Sequence, residues 1–172
     1  MAVNASLRAA LSVSQVGSEA FAGGPNWSAA IEQVLSFANG TGADQADHAY
    51  VAESTVASAT NDDIDLAGVL TDALGATITA AELAAILIVN KKKDGSANTT
   101  NLTIGAGANP MIGFLGATHT IGPIRPGGVF MLACGDASGI GAVTAGTGDI
   151  LRIANSSGAQ NKYLIALLAR SA

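Results

Sequence analysis

From about residue 99 to its C-terminal end the chain is a succession of short apolar runs broken by turn-forming residues. NLTIG (101–105), HTIGPI (119–124), GVFMLAC (128–134), DILRIAN (149–155) and KYLIALLA (162–169) are separated by AGANPMIGFLGAT, RPG, GDASGIGAVTAGTG and SSGAQN. Strands recurring every 8 to 12 residues or so are the pattern of an antiparallel sandwich or barrel. Within RPGG, Pro126 and Gly127 suit the two centres of a type II turn, since proline presets the first φ and glycine accepts a positive second one. That turn should join two strands. GVFMLAC and KYLIALLA are apolar on both alternating faces, as in strands covered on both sides, whereas DILRIAN sets Leu151 and Ile153 against Arg152 and keeps one face wet. The C-terminal strand is therefore expected to be central or interfacial.

Two segments read both ways. In TAAELAAILIVNKKKDG, Thr79 and Glu82 have the spacing of a helix capping box, while ILIVN is rich in β-branched residues. The Lys run and Asp94-Gly95, a hairpin signal, favour a strand over Leu83 to Asn90. In WSAAIEQVLSFANG, Trp27, Ile31, Val34 and Leu35 sit at helical spacing, but SFANG ends like a strand before a turn. Residues 1–26 carry sparse apolar positions (Leu7, Leu11, Val13, Val16) and read as an extended arm that lies across a neighbour or stays mobile when free. The expected organisation is an arm, 1–26, and one β-sandwich domain, 27–172, jelly-roll-like in outline.

Charged residues make up 12% of the chain, where about 25% is usual, while hydrophobic residues reach 49% with 21 glycines. A surface so short of charge points to coverage by copies of the chain or by a partner. A net charge of -5 argues against sequence-independent nucleic-acid binding, which needs Lys and Arg against phosphates. The apolar run Leu83 to Val89 is far short of the roughly 20 residues that span a bilayer, so a soluble protein with no membrane partner is expected. The N-terminus has no sustained apolar stretch and does not read as a secretory signal. Cys134 is the only cysteine, which leaves no internal disulfide and favours a small buried apolar role.

Candidate chemistry is weak throughout. Gly105 and Gly107 begin a dinucleotide fingerprint, but its third glycine is replaced by Pro110; GAVTAGTG has Thr147 and Gly148 where a phosphate loop needs lysine and a hydroxyl. The acidic run NDDIDLAG offers Asp62, Asp63 and Asp65 to a cation, yet the calcium-loop pattern fails at Ala67 and Leu74, and a solvated turn before a strand is the better reading. His48, near Asp44 and Asp47, and His119 are the only histidines, and neither sits in a catalytic motif. Cys134 would act as a nucleophile only if exposed beside a base. No cofactor is expected. Lys91, Lys92 and Lys93 form the only basic cluster, read as a solvated hairpin end or as a contact with an acidic partner surface.

FANGTGADQADHAYVAESTVA (37–57), DIDLAGVLTDALGATIT (63–79), IRPGGVFML (124–132), taken as a hairpin, and DILRIANSSGAQNKYLIALLA (149–169) together resemble small virion structural proteins of tailed bacteriophages. The resemblance spans roughly residues 30 to 170 and rests on a pattern of strands and turns. It implies a compact β-sandwich or jelly-roll module on a head or tail, often a homotrimer, without enzymatic activity, with segment 83–90 as a strand. The expectation is a capsid decoration or cement protein of the virion, binding its own copies and the major capsid protein or other virion proteins. Its weak contact candidates are Lys91, Lys92, Lys93 and, in the arm, Leu7 and Leu11. The alternatives are a tail or tail-fibre component that binds a host receptor or glycan, and a hydrolase using His48 or His119.

Overall fold

A computed structural model of the chain describes residues 2–18, 24–105, 107–116 and 120–172. Among these the strands are β1 (Ala5–Val16), β2 (Asn26–Asn39), β3 (Gln45–Ala46), β4 (His48–Val56), β5 (Asn61–Asp65), β6 (Glu82–Val89), β7 (Leu102–Gly105), β8 (Thr120–Ile124), β9 (Val129–Ala133), β10 (Gly141–Ala142), β11 (Ile150–Asn155) and β12 (Asn161–Arg170). A short 3-10 turn at Gly113–Leu115 is the one helical element among the described residues.

Two sheets face each other. In one, β12 lies between β4 and β6, and the other edge of β6 takes both β9 and the short β10. In the other the order is β5-β11-β7-β8. Every pairing in the two sheets is antiparallel. Leu102, Ile104, Leu151 and Ile153 of the β11 sheet meet Ile86, Ile88, Tyr163 and Ile165 of the β12 sheet in one core. The chain is thus an all-β antiparallel sandwich.

The alternation of β11 holds as expected, with Leu151 and Ile153 wholly buried and Arg152 outward against Asp63 at 2.5 Å. Segment 82–89 is a strand despite its helix signals. It is held on both edges by β12 and β9, and Glu82 reaches Arg170 Nη1 at 3.2 Å. The acidic run differs from expectation: residues 61–65 are not a turn but strand β5, because Ile64 is drawn into the core and the alternation then follows.

Both predicted turns form, but neither builds a hairpin between long strands. Gly127 has φ of +78° and the Gly128 N–H bonds the Arg125 carbonyl at 2.8 Å, as proline-glycine dictates. The strands it joins, β8 and β9, belong to different sheets, so IRPGGVFML is a crossing between layers, not a hairpin. Likewise the Asp94-Gly95 turn closes a small loop with a bridge between Lys91 and Ala97, and the chain then passes to β7 in the opposite sheet.

Asn90 holds these two crossings together. Wholly buried at the end of β6, its side-chain NH2 donates to the carbonyls of Thr100 (2.9 Å) and Ile124 (2.8 Å). Its side-chain oxygen accepts from Asn98 and Asn161, both at 2.9 Å. Its main chain bonds Gly127 and Gly128 of the proline-glycine turn at 2.8 and 2.9 Å. One residue therefore ties the β12 sheet to the entry of β7 and the exit of β8.

The N-terminal residues do not stand alone as an arm. β1 pairs with β2 in unbroken register from Ala5↔Phe37 to Val16↔Asn26, forming a two-stranded ribbon. An unpaired strand would leave its amides without partners, and β2 supplies them. The projecting unit is this ribbon, and a boundary between residues 26 and 27 falls within it, after the first residue of β2. From Ala10 to Val16 and from Asn26 to Val34 every residue is exposed, so this part stands off the body.

Replacing Asn90 with alanine removes four buried side-chain hydrogen bonds. Each buried partner left unsatisfied costs roughly 1 to 3 kcal/mol, part of which relaxation recovers. Asn90→Ala is expected to lower stability by about 3 kcal/mol, read in urea unfolding as a lower midpoint at unchanged slope.

Candidate functional site

Period-two alternation places one set of side chains inside a sandwich and the other set outside. On the β11 sheet the outer set is mainly polar, with Asn61, Asp63, Asp65, Arg152 and Thr103 facing away from the core beside Ile150 and Ala154. On the β12 sheet it is apolar. Its rows, read across β4, β12, β6 and β9, are Ala49, Leu168, Ala85, Ala133; Val51, Ala166, Leu87, Met131; and Glu53, Leu164, Val89, Val129. Val51 is 73% and Val129 62% exposed, and Glu53 is the one charge in those rows.

One end of this face is covered by the chain itself. Val3, Ala5, Leu35 and Leu168 pack around Phe37, Ala46 and Ala84, so the foot of the ribbon is seated at the Leu168 end. Next to it lie two adjoining grooves of about 380 and 310 Å3, which share Val51, Leu87 and Ala166 in their walls; the second is closed on one side by the chain's own ribbon, from Ala5 to Arg8, and the first is open. The first is rimmed by Glu53 and Lys93, whose N–H donates to Glu53 Oε1 at 2.7 Å. Lys91, Lys92 and Lys93 therefore sit at the far end of the apolar face from the ribbon.

The ribbon repeats this chemistry. Register puts Leu7, Ala9, Leu11 and Val13 on one side together with Leu35, Ile31, Ala29 and Trp27, interrupted by Gln33 and, opposite Trp27, by Gln15. Near the body this side is the partly buried one. Farther out it is bare, with Leu11 62%, Ile31 74% and Trp27 57% exposed. The opposite side carries serines and the Arg8–Glu32 ion pair at 2.8 Å, together with Val34 and, at the outer end, Val16. Of the candidates read from sequence, Leu7 and Leu11 share the apolar side of the ribbon.

The acidic residues are divided among separate structural partners. Asp62 accepts the Tyr163 hydroxyl at 2.7 Å across the two sheets, and Asp65 accepts the Ala67 N–H at 2.9 Å. Asp63 faces outward to Arg152, so the three carboxylates do not converge, and no metal-holding cluster is found among the described residues. Burial and the bond to Asp62 push the Tyr163 hydroxyl well above the usual tyrosine range.

His48 lies half-buried on β4 with Nε2 unbonded, beside Tyr50, Leu66 and Leu167. Asp47 is occupied by the N–H (2.8 Å) and hydroxyl of Ser171, and Asp44 lies against Gly135. Neither carboxylate is assembled with the imidazole into a catalytic pair. Cys134 is half-buried with a free thiol, and His119 lies outside the described residues. Among the described residues no helix is long and apolar enough to cross a membrane.

Sequence reasoning missed Val51, Leu87, Val89 and Leu164 as surface residues. Their signal was present in the runs apolar on both alternating faces, which sequence alone assigns to burial. No protein-family model, curated protein or solved structure matches the chain. What fold and surface define is an all-β sandwich with one mainly polar exterior and one mainly apolar exterior.

The hydrogen bonds from Arg152 hold the Asp63 carboxyl below its ordinary value. The folded state thus favours the ionised form, so the pair's contribution is complete above the unfolded carboxyl value of about 3.9 and is lost as pH falls through the folded value. Solvent screening keeps it below about 1 kcal/mol. Asp63→Asn is expected to flatten the loss of stability below about pH 4, measured by urea unfolding across acid pH.

Proposed function

We propose that the chain is a virion structural protein of a tailed bacteriophage, a capsid decoration or cement module that works by being covered. The observation that carries this reading is a β12 sheet apolar on both faces in a molecule that covers only one of them fully. Monomeric proteins rarely leave an extended apolar patch bare, and such a patch marks an interaction surface. The shortage of charge belongs to the same account.

The strand order adds support of a different kind. The row β4-β12-β6-β9 opposite β5-β11-β7-β8 is the order of eight strands rolled up as two Greek keys, and we read the sandwich as a jelly roll. Viral capsid modules use that architecture, an analogy of fold that raises the reading without carrying it. The mechanism is mechanical. Apolar burial at roughly 25 cal/mol per Å2, repeated at many symmetry-related positions, holds neighbouring subunits against the outward pressure of packaged DNA.

Added to particles that lack it, the purified protein should co-sediment with them to saturation and raise the temperature at which they release DNA. Particles that neither bind it nor gain heat resistance would overturn the reading.

A further inference from the structure

We propose that the uncovered part of the β12 sheet face is the seat for the ribbon of a second copy of this chain. The inference rests on the assembly reading above and names the partner for that surface.

The ribbon requires a cover. A lone two-stranded hairpin is marginally stable in water and needs a further apolar layer to persist. Here the layer is present only at the foot, where Ala5 and Leu35 pack on the Phe37, Ala46 and Ala84 cluster and Ala5 to Arg8 wall the groove beside Val51 and Leu87. Beyond Ala9 the same side of the ribbon continues through Leu11, Ile31, Val13 and Trp27 with nothing against it. The chain's own sheet does not receive that stretch in this structure, where β1 and β2 run on in unbroken register with every residue from Ala10 to Val16 and from Asn26 to Val34 exposed. The nearest surface of matching chemistry is the same sheet face on another molecule. Val51, Leu87, Val89 and Leu164 lie on it, contiguous with the row that already holds the foot.

Size and charge agree. Eight residues at about 3.3 Å rise over two strands about 4.8 Å apart give a ribbon side of about 26 by 10 Å. Four strands of the receiving face span about 19 Å, wider than the ribbon's about 10 Å, so one ribbon fits when it lies along the strands. A single seat hides only about 500 Å2 counting both partners, and two seats reach about 1,000 Å2, the threshold of a specific interface. The contact therefore closes by exchange within a dimer or around a ring, leaving no copy with a bare ribbon. Docking buries no unpaired charge from the ribbon, since Arg8 and Glu32 neutralise each other on its opposite side.

Cysteine pairing tests the contact. With Cys134 replaced by serine, Ile31→Cys and Val51→Cys are made in separate full-length chains and mixed under oxidising conditions. The expected result is a disulfide between the two variants, and a wild-type protein that light scattering finds as a closed oligomer. Ile31→Glu should weaken that oligomer by about tenfold or more, through burial of a lone carboxylate, with an unchanged far-UV spectrum. Cross-linking confined to Ile31→Cys with itself would replace ribbon exchange with ribbon-to-ribbon pairing and overturn the proposal. So would a wild-type chain that stays single at high concentration yet coats particles, an outcome that leaves the decoration reading standing and gives the seat to the capsid. Mixed disulfides in a protein that ignores particles would uphold the exchange and end the decoration reading.

Discussion

The apolar contact between the two inner sheet faces sets the rest of the molecule. Once Leu102, Ile104, Leu151 and Ile153 close on Ile86, Ile88, Tyr163 and Ile165, the period of two leaves no freedom about what faces outward. On β11 the outward residues are Ile150, Arg152 and Ala154; on β12 and β6 they include Leu164, Ala166, Leu87 and Val89. A one-residue slip would expose the core, so the apolar exterior is as fixed as the interior. The polar ties fit the same scheme, with Asn90 pinning two crossings and Asp62 accepting from Tyr163 between layers.

Much of the fold was legible, and what was not failed for physical reasons. The five strands read after residue 99 are there because short apolar runs between glycine-rich turns have few other uses. The turns were right in type but not in what they joined. Pro126-Gly127 and Asp94-Gly95 specify local φ and ψ, whereas the sheet reached by the following strand depends on long-range packing. In WSAAIEQVLSFANG, spacings of four are even as well as helical. Trp27, Ile31 and Leu35 therefore share a face in either structure, and only Val34 differs, falling on the other side of the ribbon. Asp62, Asp63 and Asp65 hid a strand because aspartate is rare in strands, and here each has its own partner.

The candidate surface was legible only in part. Leu7 and Leu11 were singled out and share the apolar side of the ribbon, and the lysine run lies at the end of the bare sheet face. Val51 and its row were invisible, since a run apolar on both faces looks the same in sequence whether its cover comes from its own chain or from another. The strands of the β12 sheet carry that ambiguity, and their own chain leaves outer positions such as Val51 and Val129 open.

The central claim is that this open apolar face is closed by association. Calorimetry of the purified protein on dilution, repeated at several temperatures, measures it directly. Burial of about 1,000 Å2 of mostly apolar surface should give association a heat-capacity change of about -0.4 kcal/mol per kelvin. An association with no heat-capacity change, or no heat of dissociation at any concentration, would contradict it.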